Sequence, residues 1–340
     1  MQLRDDAPWS GMTVARFIEQ LFDRDLANQI SALVESRIPV EELIRKTTGY
    51  TPDFPDLYIV NEELPYIAIS EYRCVVSPSF LAHCLAVGAR NQSIPLMGGL
   101  GSAVVVTQNP LPAALIIFQW SIAHEYYHIA YRHSELLERN AQEPLGDYAV
   151  ERDADLCAVA VVYRLTQRVI EVPEERDVEI RILILHWIFW HLRLLTLGNS
   201  ETSNTHTPST ERLTAIAMKL THLPLTVRHP VDVELNQPTT RARIAPIFEA
   251  LQYFDAEFLQ HFGSPESGTI SDELKRFADP GGISLRITEA WQPMENTRRH
   301  RAHLQWLHSG TFADGANSAR IFRLPDGGNS NLPASQLPSS

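Results

Sequence analysis

With 340 residues, 44% of them hydrophobic and 21% charged, the chain has enough apolar material for a substantial core and the charge density of a globular protein. A formal net charge of −12 argues against a protein that grips phosphate backbones, because that work needs clustered Lys and Arg, so nucleic acid is not expected as a partner. The three cysteines, Cys74, Cys84 and Cys157, show no C-x-x-C spacing and fit a reducing compartment, hence a cytoplasmic protein, better than a disulfide framework.

The stretch from Met1 to Trp9 lacks the basic start and apolar run of a secretory signal. From Thr13 to Arg45, apolar residues such as Val14, Phe17, Ile18 and Leu21 recur at helical spacing, which predicts two or three helices. Leu57 to Val60, Tyr66 to Ile69 and Tyr72 to Val76 are short β-prone runs and predict a small antiparallel sheet. Ser77 caps a helix to about Val87, and a strand-like run follows at Ala103 to Thr107. Pro110 and Pro112 open a long apolar helix expected to reach His133; further helices are expected from Asp147 to Arg168 and from beyond Pro173 to Gly198. The segment Ile182 to Leu197 is short for a membrane span and carries His186, His191 and Arg193, so it reads as a helix buried in protein with no membrane insertion. Ser200 to Ser209 reads as a polar loop, followed by helices at Thr210 to Leu220 and Ile244 to Phe262. The division that results is a helical segment at 1–50, a core at 51–222, a helical region at 223–308 and a flexible tail at 309–340.

The segment that carries chemistry contains H-E-x-x-H at His124, Glu125 and His128. Residues four apart on an α-helix share a face, about 6 Å apart along the axis, so two imidazoles can converge on one ion. Glu125 is offset by about 100° around the helix, which suits it to act as general base on a metal-activated water. A chance match in this composition has a probability of about 0.03, and the apolar run before the motif would leave two histidines and a glutamate unpartnered in a dry interior. A catalytic zinc takes three protein ligands, and Glu151 on the next predicted helix supplies the third. Asp155, one turn further on, is placed to accept the second N–H of a ligating imidazole.

The run H-E-x-x-H-x-x-x-x-H from His124 to His133, followed by E-x-x-A-D from Glu151 to Asp155, resembles the gluzincin metallopeptidases, in particular the HtpX and CAAX-prenyl protease type, with the Lit-type phage-exclusion peptidases as a related possibility. Thr205, His206 and Pro208, with Arg212 six residues after the histidine, are similar to a third element of that type, although the proline is displaced by one position. The resemblance covers roughly Leu111 to Leu220, and the transmembrane helices of the membrane branch are missing from the sequence pattern. It implies an α+β, mainly helical zincin-like fold with a sheet before the active-site helix. It also implies a Zn2+ cofactor, a protein or peptide substrate, and His206 or Arg212 approaching the substrate or the tetrahedral intermediate.

His133 falls five residues after His128 and, on a continuous helix, points away from the ion, which makes it a structural or supporting group. Tyr126, Tyr127 and Tyr131 read as core packing, His186 and His191 as satisfied core histidines, and Arg298 to Arg301 as a solvated basic face. The expectation is a zinc-dependent endopeptidase. The alternative is a catalytically inactive relative that keeps a structural metal and serves as a regulatory or binding protein.

Overall fold

The computed structural model describes residues 11–48, 52–70, 73–90, 93–94, 104–105, 111–169, 176–197, 206–225, 238–263, 268–277 and 285–295. Three helices come first, α1 (Val14–Gln20), α2 (Arg24–Glu35) and α3 (Arg37–Thr48). The strands β1 (Leu57–Ile59), β2 (Ile67–Ser70) and β3 (Arg73–Val76) lead into α4 (Pro78–Gly88), where Ser77 caps the helix by accepting from the Phe80 N–H. A two-stranded ribbon of β4 (Ser93–Ile94) and β5 (Val104–Val105) precedes α5 (Leu111–Ala130) and α6 (His133–Arg139). The remaining helices are α7 (Gly146–Val169), α8 (Asp177–Thr196), α9 (Ser209–His222), α10 (Pro238–Phe262) and α11 (Ile270–Phe277), with a further helical stretch at 285–295. The architecture is α+β and mainly helical.

The sheet corrects the expected antiparallel arrangement. Its order is β1-β3-β2, with β2 antiparallel to β3 but β1 parallel to β3. The tight β2–β3 connection makes a hairpin, and the longer segment after β1 carries the chain across, so β1 joins the far side of β3 in the same direction. β2 is left as an edge strand, with its ladder parity set by Tyr66. The Tyr66 carbonyl accepts from the Ser77 N–H at 2.8 Å, so Tyr66 and Ala68 face β3 while Ile67 and Ile69 turn their backbone groups outward.

α5 is the spine of the molecule, packed against α2, α3, α4, α7, α8 and β2. Its apolar residues lie all round the helix and are buried accordingly, from Ala113 to Ala130. α5 stops at Ala130 and does not run on to His133, because Arg132 adopts a left-handed conformation with φ 53°. That break turns the chain sharply and starts α6 at His133. α8 is buried along most of its length, as expected, with Trp187, Phe189 and Trp190 packed in the core. Among the described residues, no helix is long and apolar enough to cross a membrane. The expectations for 1–9, for the basic cluster at 298–301 and for the tail at 309–340 lie outside the described residues, as does most of the polar loop before His206. α11 and the stretch at 285–295 fall within the helical region expected at 223–308 but are not among the individual helices expected from sequence.

Candidate metal centre

The helices α5 and α7 pack closely against each other. His124 and His128 lie one turn apart on α5, with their Nε2 atoms 3.2 Å from each other. From α7, Glu151 places Oε2 3.1 Å from His124 Nε2 and Oε1 3.6 Å from His128 Nε2. The turn before α9 adds His206, whose Nε2 lies 2.8 Å from Glu151 Oε2. His124, Glu151 and His206 form a possible metal-binding triad, with one ligand-type atom from each lying within 4.8 Å of the others.

The spacing of these atoms fits an ion. Donors held at about 2.05 Å in a tetrahedron lie about 3.3 Å from one another, and the separations from 2.8 to 3.6 Å bracket that value. Imidazole nitrogens with one carboxylate also match the donor chemistry of zinc. Burial would lower the pKa of His124, but hydrogen bonds to Asp155 and Glu151 push it up to about 10. Burial would likewise raise the carboxyl of Glu151, yet its contacts with His124 and His206 hold it well below the usual range. This pocket therefore favours a cation between its carboxylates.

A supporting layer fixes the rings from behind. Asp155 accepts from the Nδ1 side of His124 at 2.8 Å and receives the Arg212 guanidinium through Nε at 2.8 Å and a terminal nitrogen at 2.7 Å. Burial opposes charge on Asp155, but Arg212 and His124 hold its carboxyl low. Arg212 also lies over Trp120, its guanidinium carbon 5.5 Å from the ring centroid. In the first turn of α9, beside Arg212, Glu211 pairs with Arg152 of α7 at 2.9 Å and accepts from the Thr207 hydroxyl, which anchors the turn carrying His206.

His133 does not point away. The left-handed Arg132 brings it back, so its Nδ1 lies 3.0 Å from His128 Nδ1, with Asp153 3.4 Å from its other nitrogen. The supporting role read for His133 agrees with this contact, although the assumption of one continuous helix does not. Tyr126 and Tyr127 are buried core residues, and Tyr126 stacks on Phe54. His191 is satisfied by His83 at 3.0 Å and Ser121 at 3.4 Å, whereas both ring nitrogens of His186 are buried without a hydrogen-bond partner among the described residues.

Glu125 faces the edge of the sheet. Its carboxylate accepts the outward-turned Ile69 N–H at 3.1 Å. Burial pushes its pKa up to about 7, a shift that the neighbouring His124 only partly offsets. A carboxyl so poised exchanges protons readily near neutral pH. Beside it opens a cavity of about 380 Å³, reached by His124, Glu125, His206 and Arg212 and extending to Trp120, His191 and Leu195.

The Ile69, His133 and Glu211 contacts were missed from sequence, since all depend on tertiary placement or on one unusual backbone angle. Compared with known proteins, the chain matches no family model, no curated protein and no solved structure.

Proposed function

We propose that the chain is a zinc-dependent endopeptidase of zincin-like fold in which His124, His128 and Glu151 hold the metal and Glu125 is the general base. The observation that carries this reading is the placement of the two Glu151 oxygens against the Nε2 atoms of His124 and His128, with the Glu125 carboxyl alongside. His128 is preferred to His206 as the third ligand because it is fixed on the buried spine helix, whereas His206 sits on a turn and is 37% exposed. When bound, zinc supplies Lewis acidity that polarises a carbonyl and acidifies water.

The protein's own residues do the rest. Glu125 accepts a proton from the attacking water as the new C–O bond forms and delivers it to the leaving nitrogen as the C–N bond breaks. Asp155 holds His124 in the tautomer whose Nε2 lone pair faces the ion. His206 and Arg212, both on the cavity wall, are placed to steady negative charge on the substrate oxygen. The outward backbone groups of Ile67 give an extended peptide an edge to pair with, next to Glu125.

Glu125→Gln tests the reading. The variant is expected to keep its metal and to lose at least about 10²-fold in peptide hydrolysis. Equal activity in the variant contradicts the peptidase, and metal binding without hydrolysis by the wild type favours the inactive, metal-holding alternative.

A further inference from the structure

The cavity beside Glu125 reaches well past the atoms that hydrolysis requires. Its inner walls are Phe80 from α4, Trp120 and Ser121 from α5, and His191, Leu192 and Leu195 from α8. Phe80, Trp120 and Leu192 are almost wholly buried, so their exposed atoms belong to the cavity and not to the outer surface. Of the polar groups in this inner part, Ser121 and His191 are already engaged, and the Trp120 indole N–H is buried within the wall without a hydrogen-bond partner among the described residues. Ser121 donates to the Ile117 carbonyl at 3.0 Å, and His191 bonds His83 through Nδ1. Arg212, the charged side chain closest to the inner part, is bound by Asp155.

The cavity, about 380 Å³ in all including the part beside His124, Glu125, His206 and Arg212, has aromatic and aliphatic walls away from these groups, and there it accepts a large apolar group better than a charged one. Ile67 of the edge strand and His206 to Ser209 also line the cavity, together with His124 and Glu125. A peptide lying along β2 with its scissile carbonyl over His124 therefore has one adjacent side chain directed into the cavity.

We infer that this cavity is the specificity pocket of the site and selects substrates with a bulky aromatic or branched aliphatic residue flanking the scissile bond. The inference rests on the endopeptidase reading for the identity of its occupant. Burial also keeps His191 neutral, by holding its pKa well below the usual value, so the floor presents no charge near neutral pH. Leu195 and Thr196, at the C-terminal end of α8, are partly exposed and line the cavity, so they are the positions at which its chemistry can be changed with least damage to the core.

Binding separates the pocket from the chemistry. Saturation-transfer NMR with N-acetyl-phenylalaninamide, N-acetyl-leucinamide, N-acetyl-alaninamide and N-acetyl-glutamate amide on wild type and Glu125→Gln reads occupancy without turnover. The phenylalanine and leucine probes are expected to bind at least about tenfold more tightly than the alanine and glutamate probes. That preference is expected to fall by at least about tenfold in Leu195→Arg and in Thr196→Arg. Circular dichroism checks folding, and either folded variant is sufficient. Equal binding of all four probes, no binding of the phenylalanine probe, or full retention of the preference in a folded variant overturns the pocket. A peptide library digested by metal-loaded wild type gives the other half. Cleavage with no apolar preference overturns the pocket and leaves the peptidase standing, whereas the probe preference without any cleavage overturns the peptidase and leaves an apolar side-chain site.

Discussion

Glu151 Oε2 lies 2.8 Å from His206 Nε2, which joins α7 to the turn before α9 at the point where an ion would sit. The same oxygen is 3.1 Å from His124, so one carboxylate links three chain segments. Two roles for His206 follow from this contact, as ligand or as a group that meets the substrate. If it meets the substrate, His206→Ala keeps its metal and loses about 10² to 10³-fold in turnover, the range for removal of one oxyanion donor. His128→Ala, in contrast, loses the metal. Chelator competition and kinetics on both variants check this, and loss of metal from His206→Ala together with its retention in His128→Ala reverses the ligand assignment.

Asp155 binds His124 and Arg212 at once, with its side chain 2% exposed and that of Arg212 15%. Asp155→Asn keeps an acceptor but removes the charge, leaving the guanidinium without its ionic partner. Metal affinity is expected to drop about 10 to 100-fold, as for other supporting groups behind a ligating histidine. Stability falls as well, by up to about 3 to 5 kcal/mol, because a largely buried cation is left uncompensated. Chelator titration and urea unfolding measure the two effects; unchanged values of both contradict the supporting role.

His186 is buried against Trp187 and Phe254, their ring centroids 4.7 and 4.8 Å away. Burial, helped by the charge of Arg90, lowers its pKa to about 3. The unfolded chain, titrating near the ordinary value of 6.5, therefore binds the proton more readily than the folded one. The stability associated with neutral His186 is present in full above about pH 6.5 and is lost as pH falls from there toward about 3, at up to about 1.4 kcal/mol per unit. His186→Leu removes this dependence and frees the core of a polar ring that has no hydrogen-bond partner among the described residues, so it is expected to raise stability by about 1 kcal/mol at pH 7 and by more at pH 5. Unfolding curves at the two pH values decide; an equal change at both contradicts the neutral, buried assignment.

The parts of this structure that were legible in the sequence are those fixed by local rules. The spacing of His124 and His128 sets their convergence on one helix face, and Ser77 followed by Pro78 marks the start of α4. Glu151 and Asp155 were legible because α7 repeats the same four-residue logic. The direction of β1 was not, since a three-residue strand carries no signal of which neighbour it joins. The bend at Arg132 was hidden because a non-glycine residue gives little warning of a left-handed angle, and the position of His133 went with it. The bond from Ile69 to Glu125 depends on strand register against a helix far along the chain, which spacing does not encode.

Metal analysis by mass spectrometry on purified wild type and Glu151→Gln tests the central assignment most directly. Wild type is expected to hold about one equivalent of zinc, removable by a chelator, and Glu151→Gln to hold far less at the same protein concentration. Wild type that takes up no zinc from a zinc-supplemented buffer, or Glu151→Gln that retains a full equivalent with unchanged chelator resistance, contradicts the account.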